Sequence, residues 1–269
     1  MRARGFYVRL NNIMNEIAGK TEDFLKEMFQ KGMHLGYSST SRHPKMKPFI
    51  FGVRSGVEIF DLEKTKTCLD AAKSFVKNLA KNGKSILFVG TKKEAKQEVE
   101  KLAKELNMPY IRERWVGGTL TNFKEIKNRI NYFIDLKTKK ESGEFEKYTK
   151  KERLQMERKI QKMERYLGGL ENLNDYPAAL IVVDPKHEKI SVGEAVNKNI
   201  PVVALINSDC DPSNIDYPVP ANDSSLSSIV YFLLELAEAF KEGKKMKEIE
   251  TAEVKGQELQ ETKTTTKDK

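Results

Sequence analysis

Hydrophobic and polar positions along this chain fall into two rhythms. In the first, short apolar runs alternate with helical stripes from residue 57 onward. Val57-Glu58-Ile59-Phe60, Ser85-Ile86-Leu87-Phe88-Val89, Pro109-Tyr110-Ile111, Ala178 to Val183, Pro201 to Ile206 and residues 217–220 read as strands. Residues 63–82, 91–106, 187–198 and 224–242 read as helices. The first of these puts Leu69, Ala72, Phe75, Val76 and Leu79 on one face. Thr91 caps the second and Asp223 or Ser224 caps the last. A short helix precedes them all, opening at Thr21 with Glu22 and Asp23 in its first turn. It places Phe24, Leu25, Met28 and Phe29 on one face and closes at Gly32 and Gly36. Fully apolar strands between helices predict an α/β fold: a doubly wound parallel sheet covered on both faces.

The second rhythm interrupts the first. Residues 120–141 carry Phe123, Ile126, Ile130, Phe133 and Leu136, and residues 149–170 carry Met156, Ile160, Met163, Leu167 and Leu170. Both sets have three- and four-residue spacing, and Ser142-Gly143-Glu144 breaks the helix between them. This predicts an inserted antiparallel helical hairpin over 120–167, with a seam too short to bury much and an outer face rich in lysine and arginine. The organisation expected is an α/β core over 21–119 and 168–242, split by that protruding hairpin. Residues 1–20, with Arg2, Arg4 and Arg9 before any acid, read as a disordered basic extension. They fit a transit peptide or an upstream start codon with Met14 as the true start. Residues 243–269 read as a disordered tail.

Charge sharpens this picture. The 269 residues have a net charge of +9, but it divides unevenly. The first 167 residues stand at +16 and residues 168–240 at −8, with three cations against eleven acids. Such a division predicts a basic flank turned to a polyanion and an acidic half facing protein or solvent. A lysine-rich proteome is the bland alternative. Two cysteines, Cys68 and Cys210, cannot build a disulfide framework and fit a reducing compartment. No run of 18 apolar residues occurs, so no membrane-spanning helix is expected.

Catalytic chemistry finds no foothold. HExxH, CxxC, GxSxG and the Walker pattern are all absent, and His34, His43 and His187 sit in loop or helix-start sequence. Asp184, Asp209, Asp211 and Asp216 follow strands, as catalytic carboxylates do, but they also suit turns before proline. No catalytic residue, cofactor, metal ligand or small-molecule substrate is expected. Gly90-Thr91-Lys92-Lys93 is the nearest approach to a phosphate loop. It has one glycine where nucleotide fingerprints need three, so it reads as a nucleotide-binding turn, a nucleic-acid backbone contact or an ordinary capped turn.

Anion-binding patterns are stronger. Arg42, Lys45 and Lys47 crowd beside Pro44 and Pro48, which stiffen the segment and lower the entropy lost on meeting phosphates. Arg114-Trp115-Val116-Gly117-Gly118-Thr119-Leu120-Thr121-Asn122 leads into the hairpin. Its paired glycines let amides approach a phosphate or another chain, and its Thr and Asn add neutral donors. Trp115 equally suits a core aromatic beside a glycine hinge. The expected RNA-binding set is therefore Arg42, Lys45, Lys47, Lys92, Lys93, Arg114, Trp115, Gly117, Gly118, Thr119, Thr121, Asn122 and Lys124.

HPKMKPFIFG (43–52), ILFVGTKK (86–93), RWVGGTLTNF (114–123), LGGL (167–170) and VVALINSDCDP (202–212) together resemble the universal family of small-subunit ribosomal protein two, in its bacterial or organellar form. The likeness runs from about Thr21 to Glu242. Gly32, His34 and Gly36 match the start of the family's GxHxGH pattern, whereas Tyr37 stands where many members have histidine. The resemblance implies a flavodoxin-like core with a protruding hairpin and a non-catalytic structural role in the small ribosomal subunit. It further implies binding to small-subunit ribosomal RNA, neighbouring ribosomal proteins and help in docking ribosomal protein one. The expected location is the ribosome of the cytoplasm or an organelle, with no membrane partner.

Overall fold

A computed structural model describes the backbone of residues 23–265 and the side chains of residues 23–249. The extension before Thr21, the Thr21 cap itself and the last four residues lie outside it. Helix α1 occupies residues 23–30. There follow strands β1 (Leu35–Ser38), β2 (Ile50–Arg54) and β3 (Val57–Phe60), and then α2 (Leu62–Lys81), β4 (Ile86–Val89), α3 (Lys96–Leu106) and β5 (Tyr110–Ile111). Helices α4 (Phe123–Glu141) and α5 (Lys150–Leu167) come next. The chain ends with β6 (Ala179–Val183), α6 (Lys189–Asn197), β7 (Val202–Ile206), β8 (Tyr217–Pro220) and α7 (Leu226–Thr265).

The parallel sheet has the order β5-β4-β6-β7-β8. Every residue of β4, β6 and β7 is buried, and their alternation serves two cores. Ile86, Phe88, Ile181, Val203 and Leu205 face one way, toward Leu69 and Val76 of α2, Val99 and Leu102 of α3, and Phe232 and Leu236 of α7. Leu87, Val89, Leu180, Val182 and Ala204 face the other, toward Val192 and Ala195 of α6 and the root of the hairpin. Successive side chains leave a strand on opposite faces, so a strand covered on both faces reads as an unbroken apolar run. Asp61 starts α2 by accepting hydrogen bonds from the Glu63 and Lys64 amides. Among the described residues no helix is long and apolar enough to cross a membrane.

The hairpin has two zones. Near the sheet, Ile126 and Ile130 of α4 and Leu167 of α5 join the second core. Farther out, Phe133, Leu136, Phe145 and Ile160 form a small cluster of their own. A capping box between Thr149 and Glu152 begins α5. Gly169 explains how the chain returns to the sheet: a Cβ there would lie 2.3 Å from the Tyr110 carbonyl oxygen. Gly169→Ala is accordingly expected to lose about 2 kcal/mol of stability, as overpacking against backbone does. Urea unfolding of the two proteins measures it.

Several elements differ from the sequence expectation: α3 begins at Lys96 behind Ala95, so Thr91 does not cap it and bonds to Glu188 instead. Val57–Phe60 belongs to a separate antiparallel sheet of order β1-β3-β2. The cause is the Ser55-Gly56 pair, both residues with positive φ (53° and 79°), which folds β2 back onto β3 as a hairpin. In addition, α7 continues past Glu242 to Thr265. That stretch contains no proline, and its many lysines and glutamates favour helix despite Gly243 and Gly256. Phe29 also departs from its expected core face: it is exposed, with its ring stacked 4.1 Å from His34.

Candidate nucleic-acid interface

The segment 42–49 is shaped by acids behind it. Arg42 places its guanidinium 3.1 Å from the fully buried carboxylate of Glu58 on β3. Lys45 reaches Asp211 at 3.4 Å and also bonds to the Ser213 hydroxyl. Ser213, through its hydroxyl and amide, and then Lys45 hold the Asp211 carboxyl down at about 2. Lys47 is exposed and has no acid partner among the described residues. Of the three cations expected to meet phosphate, Arg42 thus anchors the segment, Lys45 is half committed and Lys47 stands free.

Gly90-Thr91-Lys92 lies at the carboxyl end of β4, where the sheet order reverses and nucleotides bind in folds of this type. Here the crevice is closed by the chain itself. The Thr91 amide donates to Glu188 at 3.1 Å, and the Thr91 hydroxyl donates to the same oxygen. Burial lifts the Glu188 carboxyl above its ordinary range, against the pull of those two bonds. A Cβ on Gly90 would lie 2.9 Å from Val99 Cγ2, so this glycine makes room for α3 rather than for a ligand. Lys92 is drawn inward: its Nζ sits 3.2 Å from Asp184, 3.1 Å from Asp223 and 3.2 Å from the Tyr37 hydroxyl. Burial disfavours its charge, yet Asp223, Asp184 and Tyr37 outweigh that and raise its pKa above the ordinary lysine value. Lys92 is therefore committed to partners within the fold, whereas Lys93 beside it is exposed.

The glycine motif shows the same inward turn. Its donors do approach an anion closely, and the anion is Glu194 of α6. Glu194 Oε1 accepts from Trp115 Nε1 at 2.9 Å and from the Gly118 amide at 2.7 Å. Oε2 accepts from the Leu120 amide at 2.9 Å, the Thr121 amide at 3.1 Å and the Thr121 hydroxyl at 3.2 Å. Burial opposes the carboxylate, but these bonds, led by Trp115, hold its pKa below the usual range. Thr119 is buried and donates to the Val116 carbonyl at 2.6 Å. Trp115, Gly118, Thr119 and Thr121 are therefore parts of the hairpin's mounting, with Thr121 at its exposed rim, while Arg114, Gly117, Asn122 and Lys124 are on the exposed side. Glu194 escaped the sequence reading because its partners lie 73 to 79 positions away. No local pattern marks it.

The acidic half is likewise consumed internally. Of its eleven acids, nine bind elsewhere in the fold: Glu171 to Lys137, Asp184 and Asp223 to Lys92, Asp209 to Lys186, Asp211 to Lys45, Glu235 to Lys73, Asp216 to the Val202 amide, and Glu188 and Glu194 as above. Asp175 and Glu238 remain exposed without such partners among the described residues. Lys124 and Arg129 of α4, and Lys151, Arg158 and Lys162 of α5, have no acid partner among the described residues.

A family model described as "Ribosomal protein S2" matches residues 28–243. The chain belongs to the ribosomal protein S2 family. It is 44% identical over 226 residues to "Small ribosomal subunit protein uS2" of a Nitratiruptor species, covering 84% of this chain and 85% of that protein. A protein of the same name from Geotalea uraniireducens is 44% identical over 219 residues, covering 81% and 86%. Another, from Dictyoglomus thermophilum, is 41% identical over 237 residues, covering 88% and 96%. Membership makes the chain a structural, non-enzymatic protein of the small ribosomal subunit.

Proposed function

We propose that this protein holds small-subunit ribosomal RNA by its phosphates. The contacts are the outward cations of the 44–49 segment, the turn before α4 and the hairpin. One observation carries the reading: nine of the eleven acids of residues 168–240 are bonded within the fold, while Lys47, Lys93, Arg114, Lys124, Lys151 and Arg158 are exposed without acid partners among the described residues. Unpaired cations on a projecting hairpin bring the long reach and low self-screening that backbone recognition uses. Arg42 and Lys92 act by shaping the surface, and Trp115, Gly118 and Thr119 by fixing the hairpin on it. Docking of ribosomal protein one is the further part of this reading, supported by the family resemblance. Co-sedimentation of the two proteins on small subunits tests it.

The RNA reading has a quantitative check. Binding to a small-subunit rRNA transcript should weaken as salt rises, and the slope of log K against log salt counts the phosphates neutralised. Replacing Lys47, Arg114 and Lys124 together by alanine should flatten that slope by about three units, near one per cation. Because all three side chains are exposed, the thermal midpoint should stay unchanged. An unaltered slope would remove these residues from the interface.

A further inference from the structure

Phosphate binding leaves one feature of the hairpin unaccounted for. Against its root lies a groove of about 450 Å³. Val116 from the turn before α4, with Met163 and Leu167 of α5, makes an apolar floor. Tyr132 of α4 and Tyr166 of α5 flank it. Tyr132 is 42% exposed, so its ring lies open rather than packed into the seam. The rim carries Arg129, Lys159 and Lys162, and among the described residues no acid lines the groove. Lys159 Nζ stands 4.5 Å from the centre of the Tyr132 ring and 2.7 Å from its hydroxyl. Arg129 and Lys162 have no acid partner among the described residues.

An occupant of such a groove must combine a flat apolar group with negative charge. The geometry points to a site for one unpaired nucleotide of bulged or single-stranded RNA, its base stacked on Tyr132 over the apolar floor and its flanking phosphates on Arg129, Lys159 and Lys162. This rests on the RNA reading above and sharpens it from phosphate contact to capture of a base. A base inside a helix cannot enter, because both of its faces are already stacked. Only a splayed nucleotide offers its face to an aromatic ring. A docking protein helix would need apolar anchors spread over two or more turns. Here the apolar floor of Val116, Met163 and Leu167 is one compact patch ringed by Arg129, Lys159 and Lys162.

The test compares two RNA duplexes that differ only in one bulged adenosine, both titrated with the intact protein. The bulge should tighten binding about tenfold, the worth of one base on one ring. Tyr132→Ala should erase that gain and leave binding to the perfect duplex unchanged. Tyr132→Phe should retain it, since stacking does not need the hydroxyl. If the bulge gives no gain, or Tyr132→Ala keeps it, the site is wrong while phosphate binding stands. If neither duplex binds the unaltered protein, the RNA reading itself falls and takes the site with it. If Tyr132→Ala instead abolishes binding of an acidic glutamate–leucine helical peptide and spares the bulge gain, the groove is a protein-docking surface and the nucleotide proposal is overturned.

Discussion

Glu194→Gln should destabilise this protein by about 3 kcal/mol and disturb the root of the hairpin before the sheet unfolds. Glutamine keeps the shape of the side chain but has one acceptor oxygen where glutamate has two. In the native site, one oxygen accepts from Trp115 and Gly118 and the other from Leu120 and Thr121. Whichever way the amide turns, its NH₂ meets two N–H donors that then lack an acceptor. A buried donor left unsatisfied costs about 1–3 kcal/mol, so two of them set the scale. The acid dependence has a definite sign. The folded pKa of Glu194 lies below its ordinary value of 4.5, so its contribution is complete above that value and disappears as pH falls through the lower, folded one. The stability gap between native protein and variant should therefore be flat from about pH 6 to 8 and close in stronger acid. Trp115 is the only tryptophan, and its indole donates directly to Glu194. Its emission should shift to the red in the variant under conditions where far-ultraviolet circular dichroism stays native. A loss under about 0.5 kcal/mol, the level of an ordinary surface change, would show that the carboxylate does not hold the mounting.

Some of this architecture is plain in the sequence and some is hidden by its physics. Strands β4, β6 and β7 are legible because parallel strands buried on both faces must be apolar at every position. The hairpin is legible because its seam repeats at three and four residues. Strands β1 and β2 are not, since Gly36 and Gly52 interrupt any alternation and Arg54 sits on a free edge. The Ser55-Gly56 turn between two short runs was the available signal for the β2–β3 hairpin. Charge misleads for a different reason. A segment sum of −8 over residues 168–240 suggests an acidic face, but a sum does not record direction. Glu235 and Asp211 meet lysines 162 and 166 positions earlier in the chain, and pairing at that distance leaves no local trace. The glycine motif belongs to the same class. Closely approaching amides were legible as an anion site, but whether the anion is a phosphate or the protein's own Glu194 depends on where α6 packs.

Lys92 supplies the second large effect, and its sign separates a structural cation from an RNA-binding one. Its ammonium joins three parts of the fold: Tyr37 on β1, Asp184 after β6, and Asp223 before α7. Asp223 is almost wholly buried and Asp184 largely so. Lys92→Met preserves the length and apolar stem of the side chain while leaving two carboxylates facing each other without a cation. Breaking a buried pair by removing one partner costs about 3–5 kcal/mol, because the stranded charge has lost water and gained nothing. A loss near 4 kcal/mol in urea unfolding at pH 7 is the expected result. Adding Asp223→Asn to Lys92→Met should restore at least half of it, since the repulsion and one uncompensated charge go together. The raised pKa of Lys92 means that its own charge is complete below the ordinary lysine value of 10.5 and is lost only at still higher pH. Its contribution is thus constant across neutral pH. Where Lys92→Met still folds, its salt slope on rRNA should match that of the unaltered protein, whereas Lys93→Ala, one residue on, should flatten the slope by about one unit at no cost in stability. The opposite outcome, a stable Lys92→Met with a flattened slope, would return Lys92 to the RNA face and require the crevice to open on binding.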